Sequence, residues 1–224
     1  MSAVKFKVKV AGEDHKHLAE AICKEMEESA KARGTGIAKR SPDYIRQKME
    51  EGKAIIALTD KGEFAGFCYI ETWGHGKYVA NSGLIVAPDF RKYGLATRIK
   101  EKAFALSRKK YPDAKLFGLT TSAAVMKINS ELGYRPVTFS ELTDDEQFWK
   151  GCASCVNFDI LKSKNYKNCL CTGMLYDPAE KNRKKWDFVK KSRIYERWQS
   201  LKSHKLLKSF TPKALLTYLG IASV

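Results

Sequence analysis

From Leu84 to Ala96 the chain reads Leu-Ile-Val-Ala-Pro-Asp-Phe-Arg-Lys-Tyr-Gly-Leu-Ala. An apolar run ends at Pro88, and a short turn then feeds straight into an amphipathic stretch. Gly94 can take up a positive φ without steric penalty, and Ala96 is too small to hold the backbone away from a ligand. The free N–H groups of Arg91-x-x-Gly94-x-Ala96 therefore converge where a helix begins. Such a nest, reinforced by the helix dipole, suits a pyrophosphate. The dipole contributes about 0.3–1 kcal/mol before the hydrogen bonds are counted. An ordinary strand–helix turn with a stabilising glycine would carry the same spacing. The apolar strand before it and the amphipathic helix after it favour the anion site.

The elements that must hold this turn are legible from periodicity. Val4–Val10 alternates as a strand, and Leu18, Ile22 and Met26 recur at the spacing of a helix. Arg33-Gly34-Thr35-Gly36 breaks that helix. Ser41-Pro42-Asp43 supplies an N-cap and a first-turn proline for a second helix, through about Glu51. Ala54–Leu58 and Phe64–Trp73 are β-rich runs joined by Asp60-Lys61-Gly62, a hairpin signal. Gly74–Gly76 turns into a further strand ending at Val86. The helix after the nest carries Leu95, Ile99, Ala103 and Leu106 on one stripe. A buried strand, Leu116–Thr120, and a shorter helix ending at Gly133 follow. Cys155–Leu161 and Cys169–Tyr176 are expected to form a last hairpin turning through Lys162–Lys167. This order predicts an α/β fold with a mixed, mostly antiparallel sheet flanked by helices and one strand–helix–strand crossover.

At 224 residues and 44% hydrophobic the chain can bury one good core. No apolar run reaches the length of a membrane span. The start, MSAVKFKVKV, reads as a strand and not as a signal peptide, so a cytoplasmic location is expected. Of the net charge of +16, half lies from Asp177 onward, where twelve Lys or Arg stand against four Asp or Glu. The expected division is a domain over 1–176 and a basic, mostly helical extension over 177–224. A basic surface attracts nucleic acid, but equally anionic metabolites.

At Arg91-x-x-Gly94-x-Ala96 the sequence resembles the GNAT superfamily of N-acyltransferases, whose signature is Arg/Gln-x-x-Gly-x-Gly/Ala. Ile128-Asn129-Ser130-Glu131-Leu132-Gly133-Tyr134-Arg135 is similar to that family's helix end Leu-Tyr-x-x-x-Gly-Phe. The resemblance runs from about Val4 to Tyr176. It implies a GNAT-like acyl-CoA N-acyltransferase fold, with acetyl-CoA or succinyl-CoA as cosubstrate. It also implies that Arg91, Lys92, Tyr93, Gly94, Leu95 and Ala96 hold the CoA pyrophosphate and that Thr97 adds a hydroxyl. Leu84, Ile85 and Val86 would offer backbone to the pantetheine arm. Many relatives carry a tyrosine that protonates the departing thiolate where this chain has Asn129. Asparagine cannot act as an acid, so that role is empty or moved, and Asn129 is left to hydrogen-bond the cofactor.

Acyl transfer needs a neutral amine, hence a base or a water relay. Glu71 is the candidate base, with a solvated strand-face carboxylate as the alternative reading. His75 lies in a glycine-flanked turn and is expected to be exposed. Ser122, with Thr121, could orient the amine or a water, or could cap the next helix. Leu116-Phe117-Gly118-Leu119-Thr120-Thr121 and Gly133-Tyr134-Arg135-Pro136-Val137 resemble the acyltransferase part of N-acetylglutamate synthases, which read Leu-Phe-x-Leu-Thr-Thr and Gly-Phe-x-Pro-Val. The acidic residue of those synthases' fourth strand falls near Ala80. This implies an amino-acid acceptor, glutamate first, and a place in arginine biosynthesis. Lys39, Arg40, Lys127 and Arg135 are the candidates to pair with a dicarboxylate, each with a solvated charge as its alternative.

Six cysteines remain to be placed. Cys23 and Cys68 sit in apolar patterns and read as core residues. Cys152-x2-Cys155 and Cys169-x-Cys171 have spacings that suggest zinc. The expected hairpin, however, puts Cys155 opposite Met174, roughly 10 Å along the strand from Cys171, so no metal is expected. In the extension Trp186, Phe188, Tyr195 and Trp198 interleave with basic residues. Packing on the core is favoured there over nucleic-acid contact, and Ala214–Val224 is expected to dock on its own domain or a second subunit, giving a homodimer. The competing functions are a GNAT enzyme acting on a protein or another small amine, and a basic nucleic-acid-binding module without turnover. Neither membrane nor nucleic acid is an expected partner.

Overall fold

A computed structural model describes residues 4–32, 34 and 38–181. In chain order the elements are β1 (Phe6–Val10), α1 (Ala19–Ala32), α2 (Pro42–Glu50), β2 (Ala54–Thr59), β3 (Phe64–Trp73), β4 (Tyr78–Val86) and α3 (Leu95–Lys110). There follow β5 (Lys115–Thr120), α4 (Ala123–Glu131), β6 (Arg135–Val137), α5 (Glu146–Lys150), α6 (Phe158–Ser163) and β7 (Thr172–Tyr176). Seven strands form one sheet in the order β1-β2-β3-β4-β5-β7-β6. Every pairing is antiparallel except β4 with β5. That pair is parallel because α3 carries the chain back across the sheet between them.

The local causes follow the sequence closely. β1 turns Phe6, Val8 and Val10 inward and leaves Lys7 and Lys9 in water, which suits a sheet edge. Ser41 caps α2 by accepting a hydrogen bond from the Tyr44 N–H, with Pro42 in the first turn. Gly62, at φ +86°, closes the β2–β3 hairpin. The two central strands are apolar on both faces because both are covered. Ile55, Ala57, Cys68 and Ile70 pack with Leu95, Ile99 and Ala103 of α3. Ala54, Ile56, Phe67 and Tyr69 pack with Ile22 and Met26 of α1 and Ile45 and Met49 of α2. A third core, with Phe117, Phe139, Trp149, Leu161 and Leu175, lies under the far end of the sheet.

One expectation fails. Residues 155–161 do not pair with β7; they turn into α6, and β7 itself begins only at Thr172. Both edges of β7 are occupied, by β5 on one side and by β6 on the other, so no edge is left for a hairpin partner. Val156, Phe158 and Ile160 alternate as a strand would, yet Val156 is 77% exposed and the buried residue is Leu161. The α3 stripe also differs. Its buried set is Leu95, Ile99, Lys100, Ala103 and Ser107, and Leu106 is only partly covered.

The helical and packing expectations for 182–224 and for Arg33, Thr35 and Gly36 lie outside the described residues. No helix among the described residues is long and apolar enough to cross a membrane.

Candidate active site

The parallel contact between β4 and β5 is short: Tyr78, Val79 and Ala80 pair with Lys115, Leu116 and Phe117. From Asn81 onward β4 leaves β5, which keeps its bonds to β7 as far as Thr120. A bulge drives the divergence. Phe67 pairs with Ile85 and Tyr69 with Ser82, so Gly83 and Leu84 stand opposite the single residue Cys68. Gly83 sits at φ +67°, and a Cβ there would lie 2.4 Å from Met26 Cε and 2.7 Å from Tyr69 Cε1. Both conformation and space require glycine.

The split opens a cavity of about 500 Å³. Leu84, Ile85, Val86, Arg91, Ala96 and Asn129 line it, as do Glu71 and Ser122. At its outer end lies the turn before α3. Lys92 and Gly94 both have positive φ, +70° and +71°. The first rung of the α3 ladder runs from the Arg98 N–H to the Gly94 carbonyl, so the amides of Leu95, Ala96 and Thr97 lie outside it. Among the described residues, no atom other than those of its chain neighbours lies within 4 Å of a Cβ placed on Gly94. The space beside it is open, as an anion nest needs. Lys92, Tyr93, Gly94, Leu95 and Thr97 are part of this turn and do not themselves line the cavity. Arg91 anchors the turn: its Nε donates to the Val86 carbonyl at 3.1 Å and its Nη2 to Ser29 Oγ at 2.8 Å.

At the inner end, Glu71 is held on both oxygens. Lys48 Nζ lies 2.8 Å from Oε1, and the Tyr44 hydroxyl donates to Oε2. Burial is the largest effect on Tyr44 and pushes its hydroxyl well above the usual tyrosine range, with Tyr69 and Glu71 adding to it. That hydroxyl therefore stays a donor. Arg40 enters from the segment before α2. Its Nε donates to Tyr69 Oη at 2.7 Å and its guanidinium lies over the Tyr44 ring. Trp73 also lines the cavity, and its indole N–H is buried with no hydrogen-bond partner among the described residues. Sequence reasoning named Glu71 and Arg40 but missed Tyr44, Lys48, Tyr69 and Trp73; the first two reach Glu71 from α2, and Tyr69 takes its bond from Arg40, all across separate elements.

The other acceptor candidates do not line the cavity. Lys39 faces Glu27 at 3.3 Å, Arg135 pairs with Glu141 at 2.8 Å, and Lys127 is exposed on α4. Ser122 caps α4, accepting from the Val125 N–H at 3.4 Å. Thr121 is exposed, and His75 sits in the β3–β4 turn at φ +55°.

Cys152, Cys155 and Cys171 also line the cavity. Burial first, then the neighbouring thiols, pushes Cys152 up to about 11 and Cys171 up to about 12. The expected position of Cys155 opposite Met174 falls with the hairpin, since Met174 pairs with Gly118 and Pro136. Among the described residues no three His, Cys, Asp or Glu are placed to hold a metal ion.

Residues 20–125 match the family model of the acetyltransferase (GNAT) family. No curated protein matches the chain. Among solved structures, an N-acetylglutamate synthase from Neisseria gonorrhoeae, complexed with coenzyme A and N-acetyl-glutamate, aligns at TM-score 0.55 and 16% identity. The alignment covers 79% of this chain, which spans only 36% of that synthase. Rv2747 from Mycobacterium tuberculosis, in complex with CoA, aligns at TM-score 0.55 and 15% identity over 76% of this chain and 98% of its own. The Salmonella typhimurium protein yncA, with its cofactor acetyl-CoA, gives 0.51 and 13% over 79% and 95%. At such identities the likeness is one of fold.

Proposed function

From the premise that the chain carries a GNAT-family acetyltransferase domain, we propose that it is an acyl-CoA-dependent N-acyltransferase acting on a free amino acid, glutamate first. The observation that carries this is one continuous cavity. It runs from Arg91 and Ala96, beside the turn at Gly94, through the split between β4 and β5, to Arg40, Glu71 and Trp73. The nest and the Val86 end of β4 would hold the cosubstrate, acetyl-CoA or succinyl-CoA. Asn129 adds to this reading, because its Oδ1 is buried without a partner among the described residues and so can accept an N–H from the pantetheine arm. That three solved structures of this fold hold CoA or acetyl-CoA supports it too.

At the inner end the chemistry suits a small zwitterion. Arg40 can pair with a carboxylate, and the unpaired Trp73 N–H offers a second donor. Glu71 attracts the incoming ammonium and takes its proton directly or through a water, with Ser122 at the cavity wall to orient that water. The amine then attacks the thioester carbonyl, whose developing oxyanion faces the amides of the bulged strand β4. That the Neisseria synthase of this fold was solved with N-acetyl-glutamate supports glutamate as acceptor, and with it a role in arginine biosynthesis. A cytoplasmic location suits six cysteines that are all free thiols. In this reading 1–176 is the catalytic domain and 177–224 a basic extension.

Free-thiol release from acetyl-CoA and from succinyl-CoA, measured against individual amino acids, tests this. Turnover with glutamate is expected. Turnover only with another amine would keep the reaction class and remove the acceptor. Binding of acyl-CoA without turnover would point to a protein acceptor.

A further inference from the structure

Where β4 parts from β5 the floor of the cavity is not apolar. Asn81, the first residue past the last β4–β5 pair, faces a lysine on the inner side of α3. Lys100 is 2% exposed, lines the cavity, and reaches Asn81 Oδ1 with its Nζ at 3.3 Å. Among the described residues no carboxylate pairs with it. Its neighbours are Cys68 from β3 and Tyr134 from the segment before β6, whose ring lies 5.5 Å below the Nζ.

The hydrogen bonds fix the orientation of this cluster. Ser107 Oγ donates to the Ala103 carbonyl at 2.8 Å, so toward Asn81 it can only accept. Asn81 Nδ2 donates to it at 3.0 Å, which turns Oδ1 toward Lys100 and the Tyr134 hydroxyl at 3.1 Å. Lys100 thus spends one donor on Asn81. A buried ammonium without a counter-ion is costly, and cores rarely keep one without a functional reason. Asn129, across the same cavity, stands where the resemblance leads one to seek an acid and finds none.

We propose that Lys100 is the acid of the reaction, donating a proton from Nζ to the thiolate sulfur that leaves the acyl carbon. The step rests on the acyl-CoA reading above. The ammonium gives its first proton to Glu71 or water, the neutral amine nitrogen bonds to the thioester carbon, and the nitrogen of the adduct gives its second proton to water as the amide forms. The C–S bond then breaks with its electron pair on sulfur, the Lys100 proton forms the S–H of free CoA, and Lys100 regains a proton from solvent. Asn81 and Tyr134 are positioning residues: they hold the Nζ at the apex of the split. Burial pushes the Lys100 ammonium below its usual value, which makes it a readier donor.

The acid must be protonated, so kcat is expected to fall as pH rises through the lysine's lowered value. Cys68 is pushed up to about 11 by burial and Tyr134 is raised too, so neither accounts for a limb below the usual lysine range. Lys100→Met should bind acetyl-CoA within about threefold of the unaltered protein, lose kcat by a hundredfold or more, and lack the alkaline limb. Tyr134→Phe should keep that limb. A measurement without substitution guards against misfolding. CoA bound to the unaltered protein should show its thiolate absorbance at lower pH than free CoA, because the ammonium stabilises it. A Lys100→Met protein with full turnover and an unchanged limb, or a bound thiol that titrates like free CoA, would overturn the proposal alone. An unaltered protein that releases no thiol with any amine would remove the acyltransferase reading and this step with it.

Discussion

Three residues have consequences that can be measured singly. Gly94 faces open space at φ +71°, so its substitution acts on the ligand and not on the core. Gly94→Glu places bulk and negative charge in the nest, and calorimetric titration should show acyl-CoA binding lost while the melting temperature falls only slightly. Arg40→Ala removes a guanidinium that reaches the cavity. KM for a carboxylate-bearing acceptor should rise about tenfold to a hundredfold, the equivalent of about 1.5–3 kcal/mol for a charged hydrogen bond, with KM for acyl-CoA nearly unchanged. Lys100 has a thermodynamic signature apart from catalysis. Its folded value lies below the ordinary lysine value of 10.5, so between the two the unfolded chain binds more protons. This group's contribution to stability therefore rises with pH across that window. The stability of Lys100→Met relative to the unaltered protein should fall as pH rises through it, as urea melts at several pH values would show.

Among the elements, β4 carries the site. Its first three residues hold β5, its bulge at Gly83 bends it away, and its end is tied to the nest through Arg91 and the Val86 carbonyl. Gly83→Ala forces a side chain into a left-handed conformation and against Met26 and Tyr69. It should destabilise the fold by about 1–3 kcal/mol. Because Tyr69 also holds Arg40, acceptor KM should rise with it. α6 shows why short apolar runs mislead. Val-Asn-Phe-Asp-Ile-Leu satisfies a strand period and a helix period alike, and what decides against the hairpin is that β5 and β6 already fill both sides of β7.

The whole molecule is basic, with a net charge of +16, and the proposed cosubstrate is a polyanion. Raising the ionic strength from about 0.05 to 0.5 M shortens the screening length several-fold. KM for acyl-CoA should rise accordingly while kcat changes little. Deleting residues 182–224 discriminates between two roles of the basic extension. Packing on the rest of the chain predicts a lower melting temperature. An unchanged melting temperature with loss of affinity for polyanions would assign the extension to nucleic acid.

Sequence by itself determined the local elements: the capped helix at Ser41, the β2–β3 hairpin at Gly62, and the strand–glycine turn–helix unit that forms the nest. These are set by neighbours a few residues apart, through φ preferences, caps and periodicity. The cavity was legible only where one short segment builds it. Glu71 with Lys48, Arg40 with Tyr69, and Lys100 with Asn81 are each joined across elements, at separations no local pattern records. Lys100 stands at helical spacing from Ala96, Ala103 and Ser107, a stripe of small residues around one cation. That pattern is consistent with a buried lysine, yet a long charged side chain at the same spacing can as easily lie along a surface. Whether it faced water or the core was decided by the tertiary structure, because the divergence of β4 from β5 leaves a polar space that Asn81, Tyr134 and the lysine fill together.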